Sequence, residues 1–270
     1  MIHIATVHWQ TDEWIDVQLS YLKRFISPPF KIYTFLNNIP EEHYHKFDYV
    51  CDEPIADHGI KLNLLAEIIS LQAREDDIII FIDGDAFPIA PVDQFLSANL
   101  EKYPLTAVVR AENLSDRHPH PCFCATTVGF WNKLKGDWKL GYCWTDSTGA
   151  LVSDTGANLL QKLEERSIEW LPLYRSRSIG KHSLWYGVYH ELVYHHGAGF
   201  RPAVERVEIN KGPFWLKYLW MSISKSKSLT AVLNKLWDKS LEKEIAKGNI
   251  PAHHSMYLQI SREKDFFEKK

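Results

Sequence analysis

Cysteine is scarce, at four in 270 residues. That excludes a disulfide scaffold and favours a reducing compartment. Long apolar runs are missing as well. The most apolar late stretch, FWLKYLWMSI at 214–223, is interrupted by Lys217, so no segment reads as a membrane span. The opening IHIATVHW, residues 2–9, lacks the basic start and long apolar centre of a signal peptide. These absences predict a cytoplasmic protein, or one lying peripherally on the inner face of a membrane. Excess charge of either sign is also absent: 31 Lys and Arg face 34 Asp and Glu. Nucleic acid is therefore not expected as the main partner. Thirteen histidines do make the net charge responsive to pH near neutrality. Internal repeats and low-complexity tracts are not found.

What is present in the first hundred residues is an alternation of strand and helix signals. IHIATVHW reads as a strand. Thr11 then offers an N-cap, with Asp12 and Glu13 at the positive helix end. Ile15, Leu19, Leu22 and Ile26 follow helical spacing until SPP at 27–29 stops them. KIYTFL at 31–36 and DYV at 48–50 read as strands, and HGIKLNLLAEIISLQARE at 58–75 as an amphipathic helix. DDIIIFI at 76–82 is apolar on both faces, as the buried centre of a parallel sheet requires. The order βαββαβ predicts an α/β, Rossmann-like fold with ligands beyond the carboxyl ends of the strands. Later, YPLTAVVRAE, CFCATTVGFW, SIEWLPL and ELVYHH carry strand signals, and SDTGANLLQKLEE opens a helix.

The central strand ends in IIIFIDGDAF, residues 78–87. Two carboxylates one glycine apart repel each other unless a positive charge lies between them. Gly84 allows close backbone approach, and two carboxylates at a strand end can hold Mn²⁺ or Mg²⁺ with positions left for phosphate oxygens. An acidic turn facing water is the plain alternative.

With these residues in place, the chain resembles the GT-A superfamily of nucleotide-diphosphosugar glycosyltransferases. The likeness rests on the βαββαβ start, on Asp83-Gly84-Asp85, and on the late His-Gly segment YHHGAGFRP at 194–202. It implies a single GT-A domain with a mostly parallel central sheet, spanning 1–210. The nucleotide-sugar half would run to about residue 105 and the acceptor half over 106–210. By the likeness, Asp85 is the foremost metal ligand and Asp83 touches metal or ribose. The late segment is similar to the His-x-x-Gly-x-x-Lys-Pro of glycosyltransferase family 8. Aligning the basic-Pro pair gives His195 as ligand and Arg201 on the donor phosphate; aligning the glycine gives His196. The resemblance implies a UDP- or GDP-type sugar donor and a hydroxyl acceptor on a glycan or lipid-linked glycan. Topology adds Thr6, Val7 and His8 after strand one, and Asn37 after strand two, as donor contacts. Lys61, just after His58 and Gly59, faces either the donor or solvent.

On the acceptor side Asp154 has two readings, helix N-cap or general base toward the acceptor hydroxyl. Trp131, Trp138, Trp144 and Trp185 either stack on sugars or fill the core. In HPHPCFC, His118, His120, Cys122 and Cys124 alternate, which in an ideal strand puts all four on one face. Zinc is conceivable there, but the two prolines and missing two-residue gaps favour a loop running into a buried strand. Residues 211–270 are expected to form a helical, basic extension. Its 211–239 portion has six lysines and one acid, suited either to an anionic bilayer surface or to packing with lysines in water. Rival functions are a haloacid-dehalogenase-like phosphohydrolase, which also uses Asp-x-Asp but with Gly-Thr or Gly-Val following, and a non-catalytic sugar-binding protein. A sugar-nucleotide-forming nucleotidyltransferase would need a glycine-rich phosphate loop near the N-terminus, which is not found.

Overall fold

Three apolar segments form the middle of the main sheet: Ile2–Trp9 (β1), Phe30–Asn37 (β2) and Ile78–Asp83 (β4), with Tyr49–Cys51 (β3) at the edge. The computed structural model describes residues 1–27, 29–178, 186–197, 227–263 and 265–267. Adding Leu105–Val108 (β6), His120–Thr127 (β7) and Leu171–Leu173 (β10) gives seven strands in the order β10-β6-β7-β4-β1-β2-β3. Pairing is parallel except on both sides of β7, which runs against β4 and β6. The predicted mostly parallel α/β sheet is thus the observed one, and β4 is its central strand.

Burial on both faces follows from the two-residue period. On one face Ile4, Ile80 and Ile82 meet Ile15, Leu19 and Leu22 of the helix Ile15–Phe25 (α1) and Val92 and Leu96 of Val92–Asn99 (α3). On the other, Ala5, Ile79 and Phe81 meet Leu62, Leu65 and Ile69 of His58–Ser70 (α2), and residues of Val128–Leu134 (α4) and Ala157–Glu165 (α5). Each fully buried Leu or Ile contributes about 1.5–3 kcal/mol relative to exposure, so both sides of β4 are firmly held.

Three local expectations are corrected, and the two readings of the tryptophans are decided for the core at three of the four. Thr11 is not the cap of α1, which starts at Ile15 with Trp14 as N-cap; Thr11 Oγ1 instead accepts from Glu13 N–H in the preceding turn. The strand signal of CFCATTVGFW stops at Thr127, whose hydroxyl caps α4 by accepting from Phe130 N–H. Trp131, Trp138 and Trp144 are core residues, the first two packed on Phe81 at ring distances of 4.6 and 5.0 Å. Trp185 lies outside the described residues. Finally, β7 carries a register irregularity opposite Ala107 and Val108. It throws Cys122 and Cys124 into opposite core layers, so HPHPCFC does not present its four groups on one face.

A second sheet, not predicted, is antiparallel. It orders Arg175–Ser178 (β11), Gly187–Tyr189 (β12), Val193–His195 (β13) and Ala86–Pro88 (β5). A two-stranded ribbon, Trp144–Thr145 (β8) and Leu151–Val152 (β9), stands apart. Backbone contacts divide the chain into two compact units, Met1–Phe200 and Arg201–Lys270. In the second unit the described part is dominated by one helix, Lys227–Arg262 (α6), with Pro251 inside it. No helix among the described residues is long and apolar enough to cross a membrane.

Candidate active site

The strand order reverses direction at β1, which has β2 on one side and β4 on the other. Crevices form at such switch points. Asp83 closes β4 there, level with Val7 of β1. The chain then turns through Gly84 and Asp85 directly into β5, whose Ala86 pairs with His195 of β13. Sheet pairing therefore carries His195 to the two carboxylates. One ligand atom from each of Asp83, Asp85 and His195 lies within 4.8 Å of the others. His195 Nε2 stands 3.4 Å from Asp85 Oδ1 and 3.8 Å from Asp83 Oδ2.

His196, the other sequence candidate, points elsewhere. Its ring packs on Trp14 at 4.3 Å and its Nδ1 is 2.9 Å from the Tyr194 hydroxyl. Alternation along a strand sends neighbours to opposite sides, so only one of the pair reaches the carboxylates. It is His195.

The turn is held from beneath by Gln18 of α1. Its amide donates to the carbonyls of Asp83 and Ala86, at 2.7 Å each. Its Oε1 faces Thr6 Oγ1 and His8 Nε2, both at 3.2 Å. Thr6 and His8 are thus buried supports rather than the donor contacts expected of them, because their side chains point under the turn. Burial pushes His8 down to about 4 despite the Gln18 bond, so it is neutral at pH 7. Val7 is likewise a core residue, and only its carbonyl borders the turn. A Cβ on Gly84 would sit 2.5 Å from that carbonyl oxygen and 2.7 Å from His8 Nδ1, so glycine is required by space.

Two further residues frame the site. His58, in the first turn of α2, places Nε2 3.0 Å from Asp83 Oδ1; sequence reasoning passed over it. The N-cap of that helix is Asp57, which accepts from Ile60 N–H. Lys61, one turn on, is buried rather than solvated, at 1% exposure, with Nζ 3.7 Å above the Trp9 ring. Burial pushes its ammonium down to about 8, with Asp57 pulling the other way. Asn37 holds the segment after β3 by donating to the carbonyls of Asp52 and Glu53. Its Oδ1 is buried without a hydrogen-bond partner among the described residues.

Asp154 is not the cap of α5; Gly156 occupies that position with φ of 102°. The Asp154 carboxylate is exposed and lies within 4.8 Å of ring nitrogens of His118 and His120. The His120 ring in turn is 5.7 Å from that of His195. Asp85, His195, His120, His118 and Asp154 therefore form one continuous line of side chains. Arg201 lies outside the described residues.

The chemistry of the Asp83, Asp85 and His195 group fits a divalent cation. Two carboxylate oxygens and one imidazole nitrogen converge, a mixed hard and borderline set that suits Mn²⁺ well and Mg²⁺ through its oxygens. Asp83 meets no lysine or arginine within 4 Å among the described residues, and its near neighbours there are His58 and His195.

No family model matches the chain, and no curated protein does. Solved structures do. One is residues 1–349 of S. aureus TarS in complex with UDP-GlcNAc, with TM-score 0.38 and 10% identity over 51% of this chain and 48% of that one. Another is the glycosyltransferase GlyE of Streptococcus pneumoniae TIGR4, with TM-score 0.36 and 15% identity over 49% of this chain and 35% of that one. The chain thus spans half or less of the length of the structures it matches.

Proposed function

We infer that the protein is a metal-dependent glycosyltransferase of GT-A type. It would move a sugar from a UDP- or GDP-type donor to a hydroxyl on a glycan or lipid-linked glycan. The observation carrying this reading is the convergence of Asp83, Asp85 and His195 at the carboxyl end of the central strand. Asp83, with one oxygen on His58 and the other facing His195, is set up as a ligand rather than as a phosphohydrolase nucleophile.

Asp83, Asp85 and His195 would hold Mn²⁺ or Mg²⁺, which when bound supplies Lewis-acid stabilisation of a diphosphate leaving group. The rest falls to side chains. His58 fixes one oxygen of Asp83, leaving the other for the ion. Lys61, held dry on Trp9 and without an ion pair among the described residues, would offer its charge to the donor phosphates. The buried Asn37 Oδ1 is an acceptor for a base N–H or a ribose hydroxyl. Arg201 is retained as a phosphate contact on the sequence resemblance alone. Asp154, exposed and beside two histidines kept neutral by burial, is placed to take the acceptor proton in an inverting transfer or to orient the sugar in a retaining one.

Thermal unfolding with UDP, GDP, dTDP and UDP-GlcNAc, each with and without Mn²⁺, tests this reading. One nucleotide should raise Tm only when the metal is present. At a hundred times Kd the gain is about 2.7 kcal/mol, or roughly 5–11 °C for a unit of this size. Asp85→Asn should abolish it. A flat panel across all nucleotides and metals would sink the proposal. Contact of 211–239 with anionic membranes is a separate proposal, supported by exposed Val232 and Leu236 among the lysines. Flotation with phosphatidylserine vesicles decides it.

A further inference from the structure

Beyond the carboxylate group, Arg110, His118, His120 and the exposed Asp154 form a polar cluster whose hydrogen bonds do not close. His120 Nδ1 accepts from Cys122 N–H at 3.1 Å. The neutral ring must then carry its proton on Nε2. That nitrogen faces Arg110 Nη1 at 3.5 Å, so a donor confronts a donor. Arg110 has no carboxylate within 4 Å among the described residues, and its Nε is sealed from solvent without a partner. His118, at 0% exposure, has no partner on either ring nitrogen among them. Asp154 closes the open side, within 4.8 Å of both histidines.

A metal ion does not fit here. Binding would need a lone pair on His120 Nε2, where the proton sits, and would bring a cation against a guanidinium. What the pair lacks is an acceptor oxygen. Other acids nearby are engaged: Glu112 accepts from the Tyr189 hydroxyl at 2.5 Å and faces Arg175 at 3.8 Å, and Asp116 accepts from the Asn113 amide at 2.6 Å. The cluster therefore has a donor-only, cationic end at Arg110 and His120 and an acceptor end at Asp154, with His118 between them.

We propose that this cluster binds an acidic sugar, its carboxylate on Arg110 and His120 and a ring hydroxyl donated to Asp154. The inference rests on the glycosyltransferase reading and names its substrate class, a uronate-type ring. A carboxylate supplies two acceptor oxygens to two facing donors, the arrangement in which charge-assisted bonds are strongest. Asp154 accepts from Thr155 N–H at 2.7 Å through Oδ1, and the sugar hydroxyl would donate to its other oxygen. With the His120 ring 5.7 Å from that of His195, the acidic ring belongs to either the transferred sugar or the acceptor.

Ligand-observed NMR and calorimetry on the full chain separate these. One arm compares UDP-glucuronate with UDP-glucose in Mn²⁺. The other compares methyl β-D-glucuronide with methyl β-D-glucoside, with and without UDP. In one arm the acid should bind at least tenfold more tightly than its neutral partner. Arg110→Met should erase that preference, Arg110→Lys should keep part of it, and neither should change UDP affinity more than twofold. Equal binding of acid and neutral sugars to the wild-type protein in both arms would overturn the proposal, with no variant needed. A tenfold loss of UDP affinity in Arg110→Met would also overturn it, by assigning the arginine to the diphosphate. The glycoside arm without nucleotide reads the cluster even where UDP and Mn²⁺ do not bind, so failure at one site is distinct from failure at the other.

Discussion

Replacing Gln18 with leucine tests whether the Asp-Gly-Asp turn is held by a buried amide. The side chains are similar in volume, so packing against Leu19 and Leu22 should survive. Four polar groups lose their partner: the carbonyls of Asp83 and Ala86, the Thr6 hydroxyl and the His8 ring N–H. A buried group left unsatisfied costs about 1–3 kcal/mol. The Asp83 carbonyl lies at the edge of the crevice and can take water, and the hydroxyl can rotate. The Ala86 carbonyl and His8 N–H have neither escape. The predicted loss is therefore about 3 kcal/mol, or roughly 6–12 °C in Tm. Without its clamp the turn should also hold Mn²⁺ about 10–100-fold more weakly, as loss of outer support does at other metal sites. Urea unfolding followed by tryptophan fluorescence measures the first effect, and electron paramagnetic resonance of Mn²⁺ the second. A stability loss below about 1 kcal/mol with unchanged Mn²⁺ affinity would refute the clamp.

His58→Phe should weaken Mn²⁺ about tenfold with little change in stability, since His58 acts through one oxygen of Asp83; the same resonance titration reads it. Lys61→Met should raise Tm of the ligand-free protein by a few degrees, because it removes a buried charge without an ion pair, while reducing nucleotide-dependent stabilisation; scanning fluorimetry with and without UDP and Mn²⁺ shows both. Acid sensitivity should begin early. His8 and His118 are pushed to about 4 by burial, so the unfolded chain, titrating near 6.5, binds more protons between those values. Stability should fall as pH drops through that window, by on the order of 3 kcal/mol for His8. Asp116, raised to about 6 by burial, opposes this in part. Urea midpoints at pH 7, 5.5 and 4.5 should show the fall, and His8→Asn should flatten it.

Much of the main sheet was legible because the signals are local. β1 is read from alternation and β4 from an unbroken apolar run, α1 and α2 from helical spacing, and the place of Asp83 and Asp85 from where the apolar run stops. Each of these depends on residues a few positions apart, where burial on one or two faces imposes a period. Even a cluster able to hold a cation was open to inference, since adjacent carboxylates at a strand end call for a counter-charge.

Between His195 and His196 the sequence offered only a lean to His195 through the basic-Pro match; pairing of β13 with β5 is what brings that ring to the carboxylates, and three-residue strands distant in the chain leave no periodic trace. The same holds for Gln18, a polar residue on an apolar helix face whose partners are backbone carbonyls far along the chain. The irregularity in β7 split Cys122 from Cys124, and of the two readings of the tryptophans the core is the one that holds for Trp131, Trp138 and Trp144. Composition and period, then, determined the layered α/β frame and the acidic strand end. Tertiary pairing decided which side chains meet there, because a hydrogen bond or ion pair between remote segments depends on register, and register is settled only when the sheets close.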